Sequence, residues 1–162
     1  MDHNDNAIAV IGMAGRFPGA PNVDVFYENL CKGIEGIRFF DEGTMLAAGI
    51  DVDTLRRPDF VSAKPGIPNI DQFDAGYFGI NPSETIQMDP QHRIFLECCV
   101  TALNDANIDP ARTNASIGLF GGCGVSTYWT QVNAAAVSSG LWSATAQAAF
   151  GNIQDYLCTR VA

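Results

Sequence analysis

The chain has 162 residues, a length suited to one folded domain or one piece of one, and its 47% hydrophobic against 17% charged residues favours a packed interior over disorder. Eighteen Asp and Glu against nine Lys and Arg leave a net charge of −9, which repels a phosphate backbone and argues against nucleic acid as a partner. No apolar run approaches the ~18–20 residues of a membrane span, and the opening Met1-Asp2-His3-Asn4-Asp5-Asn6 lacks the cationic start of a signal peptide, so no membrane partner and a cytoplasmic location are expected.

Residues 1–6 are polar and predict a flexible N-terminus, with the folded region running over 7–162. Ala7 to Gly12 is a continuous apolar run rich in β-branched side chains, the pattern of a strand buried on both faces. Gly15-Arg16-Phe17-Pro18-Gly19 is turn chemistry, and Val23, Phe26, Tyr27 and Leu30 then recur at the spacing of a helix face. From Gly33 to Phe73 no period is sustained, and three prolines predict loop with short strand or helix pieces.

Asn81-Pro82-Ser83-Glu84 predicts a helix start: Asn caps, Pro at the first position gives up no needed N–H, and Glu can reach back to the cap. Asp89-Pro90 opens another helix, with Ile94, Phe95, Cys98, Cys99, Ala102, Leu103 and Ala106 on one apolar face and Asn107 able to close it. Ser116 to Phe120 reads as a second buried strand leading into Gly121-Gly122-Cys123-Gly124, and strands alternating with helices predict an α/β fold. After a low-charge stretch from Asn133 to Ala149, Ile153, Tyr156, Leu157, Cys158 and Val161 rebuild a helical face with no stop signal before Ala162, so the chain reads as cut.

Several residues invite a chemical role. Gly12, Gly15 and Gly19 follow a predicted strand as phosphate-cradling glycines do, but their spacing is not G-x-G-x-x-G and Pro18-Gly19 interrupts the helix that should follow. The five cysteines are odd in number and hold no C-x-x-C pair, so neither a disulfide framework nor a metal site is expected. Cys123 on its glycine turn has the look of a nucleophile yet no charged partner nearby, and is read, like Cys98, Cys99 and Cys158, as a packing residue. Asp89, His92 and Arg93 form a possible acid–base cluster, for which a helix cap and an Asp89–Arg93 ion pair is the plainer account. Arg16 to Gly19 is read as a fold-anchoring loop, while Tyr128 and Trp129 suit either a substrate channel, a dimer face or a core.

Three segments together resemble the ketosynthase (β-ketoacyl synthase) domain of modular polyketide synthases. They are Ile8-Ala-Val-Ile-Gly-Met-Ala-Gly-Arg-Phe-Pro-Gly19, then Phe73-Asp-Ala-Gly-Tyr-Phe-Gly-Ile-Asn-Pro82 continuing through Met88-Asp-Pro-Gln-His-Arg93, and Gly151-Asn-Ile-Gln-Asp-Tyr-Leu-Cys-Thr-Arg-Val-Ala162. The resemblance implies the N-terminal half of a thiolase-like fold, layered α/β/α/β/α when complete, from a homodimeric acyltransferase of polyketide biosynthesis. Such an enzyme performs a decarboxylative Claisen condensation between an acyl chain on its cysteine and a malonyl-type extender. The extender arrives on the phosphopantetheine of an acyl carrier protein, with no cofactor bound directly. In this family the nucleophilic cysteine and two histidines lie beyond the position matching Ala162, so no catalytic, cofactor or metal residue is expected here. Neither His3, in the polar terminus, nor His92, in the helix-opening motif, makes an evident Cys–His pair. The chain alone is expected to be inactive, its partner being the C-terminal half of the domain. The alternative is a separate non-catalytic docking or structural fragment that associates with that half or with a carrier protein.

Overall fold

Capping chemistry lays out most of the helices. The structure, a computed structural model, describes residues 7–130, 134 and 148–162, and these divide between two compact units, Gly15–Pro68 and Met1–Ala14 with Asn69–Ala162.

In the Gly15–Pro68 unit, the side-chain oxygen of Asn22 accepts from Val25 N at 2.9 Å and starts α1 (Val23–Lys32), which ends at Gly33 with φ 66°, a conformation that favours glycine. Phe17 stacks on Phe26 with ring centroids 4.1 Å apart, and Arg16 donates to the Pro68 carbonyl at 2.7 Å. The Arg16–Gly19 loop therefore anchors this unit as expected. The irregular stretch resolves into β1 (Ile37–Phe39), α2 (Glu42–Ala47), α3 (Val52–Leu55) and β2 (Ala63–Pro65). Asp41 and Asp51 cap the two short helices through Thr44 N and Thr54 N. The strands β1 and β2 pair antiparallel, with Arg38 facing Lys64 and Phe39 facing Ala63.

The second unit is built along α5 (Pro90–Asp105). Asp89 Oδ1 accepts from Gln91 N at 2.7 Å, and Asn107, at φ 54°, ends the helix while Ile108 N donates to Leu103 O. Before it lies α4 (Pro82–Gln87), capped by Asn81, and at the chain's end α6 (Tyr156–Thr159). No helix among the described residues is long and apolar enough to cross a membrane.

Three expectations are corrected here. The runs 7–12 and 116–120 are not buried strands: among the described residues neither joins a ladder, and Ile8 and Phe120 are each 95% exposed. β-branched composition supplies a side-chain pattern, but a strand also needs a neighbour to take its backbone groups. Each run instead rests on α5 at a glycine. A Cβ on Gly12 would sit 2.4 Å from Ala102 O, and one on Gly121 would sit 2.7 Å from the Phe95 ring.

The second correction concerns α5, whose buried residues are His92, Arg93 and Leu96, whereas Ile94, Phe95, Cys98, Cys99, Ala102, Leu103 and Ala106 are half-buried. The face that the periodicity selects meets these two thin segments at Ala102 and Phe95 and stays partly open. Third, the closing helical face spans one turn, because residues 148–150 close in turns at Gly151 and Asn152 before α6 begins. Most of the stretch from Asn133 to Ala149 lies outside the described residues, as do residues 1–6 with His3.

Candidate functional site

The α4–α5 junction is where two of the recognisable segments, 73–93 and 151–162, meet. Asp89 N donates to Gly151 O at 2.9 Å, a close approach that needs glycine, since a Cβ there would stand 3.0 Å from Met88 Cα. Asn152 ties three stretches together: its Nδ2 donates to Gln87 O and to Ala148 O, each at 2.6 Å, and its Oδ1 accepts from Ser126 Oγ at 2.9 Å. Gln91 clasps the glycine turn, with Oε1 accepting from Gly124 N at 2.9 Å and Nε2 donating to Gly124 O at 3.4 Å. Gln154 Nε2 reaches Cys123 O at 2.6 Å, and Arg160 Nη1 pairs with Glu84 Oε1 at 2.5 Å in a site with about a fifth of each side chain exposed. Met13 N donates to Asp105 Oδ2 at 2.8 Å, which docks residues 12–14 at the far end of α5.

These ties position backbone. The acid–base cluster does not assemble: Asp89 is committed to the α5 cap, and Arg93 turns away to donate to Asp71 O at 3.4 Å and to lie over the Tyr128 ring, 6.0 Å from its centroid. The expected Asp89–Arg93 ion pair is thus corrected, the guanidinium having an aromatic face and a carbonyl instead. Tyr128 OH donates to Ile86 O and Trp129 N to Ser126 Oγ, so both residues serve the junction.

Burial pushes the Cys123 thiol up, with the Asp89 carboxylate and Cys158 adding to the rise, and the Cys99 thiol is raised by burial and then by Cys98 and Cys158. A raised thiol holds less thiolate, the opposite of what nucleophilic catalysis needs. His92 offers neither cysteine a base, since among the described residues neither ring nitrogen has a hydrogen-bond partner. Among the described residues no three His, Cys, Asp or Glu converge to hold a metal ion.

Beside α5 lies a cavity of about 520 Å³ lined by Phe78, Ile80, Leu96, Cys99 and Val161, with the Glu84–Arg160 pair in its wall. It can accept apolar groups but presents no activated nucleophile to them. Gln91, Asn152, Gln154 and the Glu84–Arg160 pair were not expected from sequence as structural ties. Gly151-Asn152, a glycine and an amide inside an otherwise helical pattern, is the signal that could have pointed to one of them.

The family model of the β-ketoacyl synthase N-terminal domain matches residues 5–162. A phenolphthiocerol/phthiocerol polyketide synthase of Mycobacterium tuberculosis is 48% identical over 124 residues, which cover 76% of this chain and 8% of that protein. Polyketide synthase PksN of Bacillus subtilis is 37% identical over 63% of the chain and 2% of its own length. Among solved structures, ketosynthase twelve of the bacillaene polyketide synthase of Bacillus amyloliquefaciens aligns with a TM-score of 0.53 at 37% identity, covering 59% of this chain and 17% of that one. The module 6 ketosynthase of the Bacillus subtilis bacillaene synthase aligns at 0.50 and 39% identity, over 60% and 16%. The chain therefore spans a small fraction of the relatives it matches, and the match favours a ketosynthase part over a separate docking fragment.

Proposed function

Since the chain belongs to the β-ketoacyl synthase family and carries the N-terminal part of its thiolase-like fold, we propose that it is the scaffold portion of a polyketide ketosynthase whose condensing residues are supplied by the rest of the domain. In the whole enzyme a cysteine thiolate attacks an incoming acyl thioester, whose C–S bond breaks to release the donor thiol as the acyl-cysteine thioester forms. A malonyl-type extender on carrier-bound phosphopantetheine loses CO₂, and the resulting enolate carbon attacks the acyl carbonyl. The new C–C bond forms as the C–S bond breaks, which returns the thiolate. That chemistry needs an activated thiol and donors for the enolate and oxyanion.

The observation that carries the reading is the outer face of the two runs on α5. Ile8, Val10 and Phe120 stand 95%, 77% and 95% exposed on segments of strand composition, as expected of a sheet awaiting further layers. We assign the cover to the C-terminal portion of the ketosynthase, the delivery of extender to an acyl carrier protein, and the complete domain to a cytoplasmic homodimer. We further propose that residues 7–162 belong to the N-terminal region of that domain.

The test is to express this chain and the complementary C-terminal ketosynthase polypeptide together and assay condensation with a carrier-bound malonyl thioester. Co-purification and β-ketoacyl product, each lost with either polypeptide alone, is the expected outcome. Product from this chain alone overturns the proposal.

A further inference from the structure

His92 is 1% exposed, and among the described residues neither Nδ1 nor Nε2 has a hydrogen-bond partner. It is the third residue of α5, in the turn where the helix dipole presents its positive end. The backbone beside it, at Asp89 N, holds Gly151 O, and Asn152 joins Gln87 to Ala148, so the ring lies at the point where α4, α5 and the 148–160 segment are tied.

Two charged groups face the ring. Asp89, at its own helix cap, has Oδ1 on Gln91 N at 2.7 Å and Oδ2 on Gln91 Nε2 at 3.4 Å, so its carboxylate is already engaged. Arg160, from the end of α6, brings positive charge, which Glu84 of α4 balances at 2.5 Å. Arg93, next in sequence, directs its guanidinium to Asp71 O and the Tyr128 ring.

We propose that His92 is an acid-sensitive latch of the α4–α5 junction: neutral, it packs there and the 148–160 segment stays docked; protonated, it is driven out and the segment is released. An imidazolium in that position has two N–H donors without acceptors and a charge without a dedicated counter-ion, facing a helix N-terminus. Burial holds the ring below the ordinary histidine value of 6.5; Asp89 pulls the other way and Arg160 adds to the fall. The folded chain therefore binds fewer protons than the unfolded one once the pH drops below about 6.5. Stability is at its full value above that pH and is lost progressively as the pH falls from there toward the lower folded value. The inference rests on burial and unmet hydrogen bonds alone and holds whether or not the ketosynthase assignment does.

The test uses the full chain and its His92→Gln variant, which keeps polarity and removes the titration. Urea unfolding at pH 7.2 and 5.4 is expected to show the wild-type folded-to-unfolded ratio falling further than that of the variant, by at most about tenfold, the ceiling that an unfolded histidine at about 6.5 sets over this interval. The ring's own titration, followed by proton NMR on the wild type, decides the matter even where the variant fails to fold. A ring that titrates below the ordinary histidine value, with resonances of 148–160 shifting as it protonates, supports the latch. An equal pH response in both proteins, or a ring that titrates at 6.5 or above, overturns it.

Discussion

Gly12 gives the sharpest quantitative handle on how residues 7–14 sit against α5. An added methyl would meet Ala102 O at 2.4 Å, Ala106 N at 2.8 Å and Ala106 Cβ at 2.9 Å, about 1 Å inside an ordinary contact with the carbonyl. All three atoms belong to the end of α5, two of them to its backbone, so no side-chain rotation relieves the clash. The segment must lift away and strain its bond from Met13 N to Asp105 Oδ2. Overpacking of this kind costs about 1–3 kcal/mol, which in a chain of this size corresponds to a Tm lower by roughly 2–12 °C. Gly122 is the matched control, because nothing lies within 4 Å of the methyl an alanine would add there. Gly122→Ala should be neutral or stabilise by up to about 1 kcal/mol through the unfolded chain. Urea unfolding followed by far-UV circular dichroism compares the two. If Gly12→Ala unfolds within about 0.5 kcal/mol of Gly122→Ala, residues 7–14 do not pack on α5 as described and the reasoning fails.

Three further outcomes follow from the same geometry. Glu84→Gln removes the partner of a largely enclosed Arg160 and should cost roughly 1.5–3 kcal/mol in urea unfolding; a loss under about 0.5 kcal/mol would place the pair in open solvent. Lys64→Glu turns a like-charge cross-strand pair with Arg38 into an opposite one and should stabilise the β1–β2 pair by about 0.2–1 kcal/mol, an effect that shrinks in about 1 M salt; no gain at low salt would contradict the register. With iodoacetamide at pH 7.5, exposed Cys31 should be modified before Cys99 and Cys123, whose thiols are raised, and peptide mapping that finds Cys123 first would argue for an activated thiol.

The parts of this fold legible in sequence are those decided within a few residues. Asn81 and Asp89 cap the helices they precede, and Asn107 ends α5, because cap and helix end are local hydrogen-bond problems. The runs 7–12 and 116–120 were legible as strand composition but not as structure, since pairing depends on chain that composition does not specify. Glu84 and Arg160 lie 76 positions apart, and Gln91 and Gly124 lie 33 apart, so no periodicity could join them. Periodicity also favoured Phe95 and Leu103 over His92 and Arg93 as buried residues. It counts apolar side chains and is silent on a polar turn that becomes enclosed when Gly151 docks on Met88. The expectation that no catalytic residue lies here came from the resemblance and not from any spacing of residues.

We propose that these residues support a ketosynthase without supplying its nucleophile. The test is the intact mass of the chain after incubation with an excess of acyl thioester, followed by tryptic mapping of any adduct. A single species at the unmodified 17.3 kDa, with no acyl-cysteine peptide, is the expected result. A stable, stoichiometric acyl adduct on Cys123, Cys158 or another of the five cysteines would contradict it.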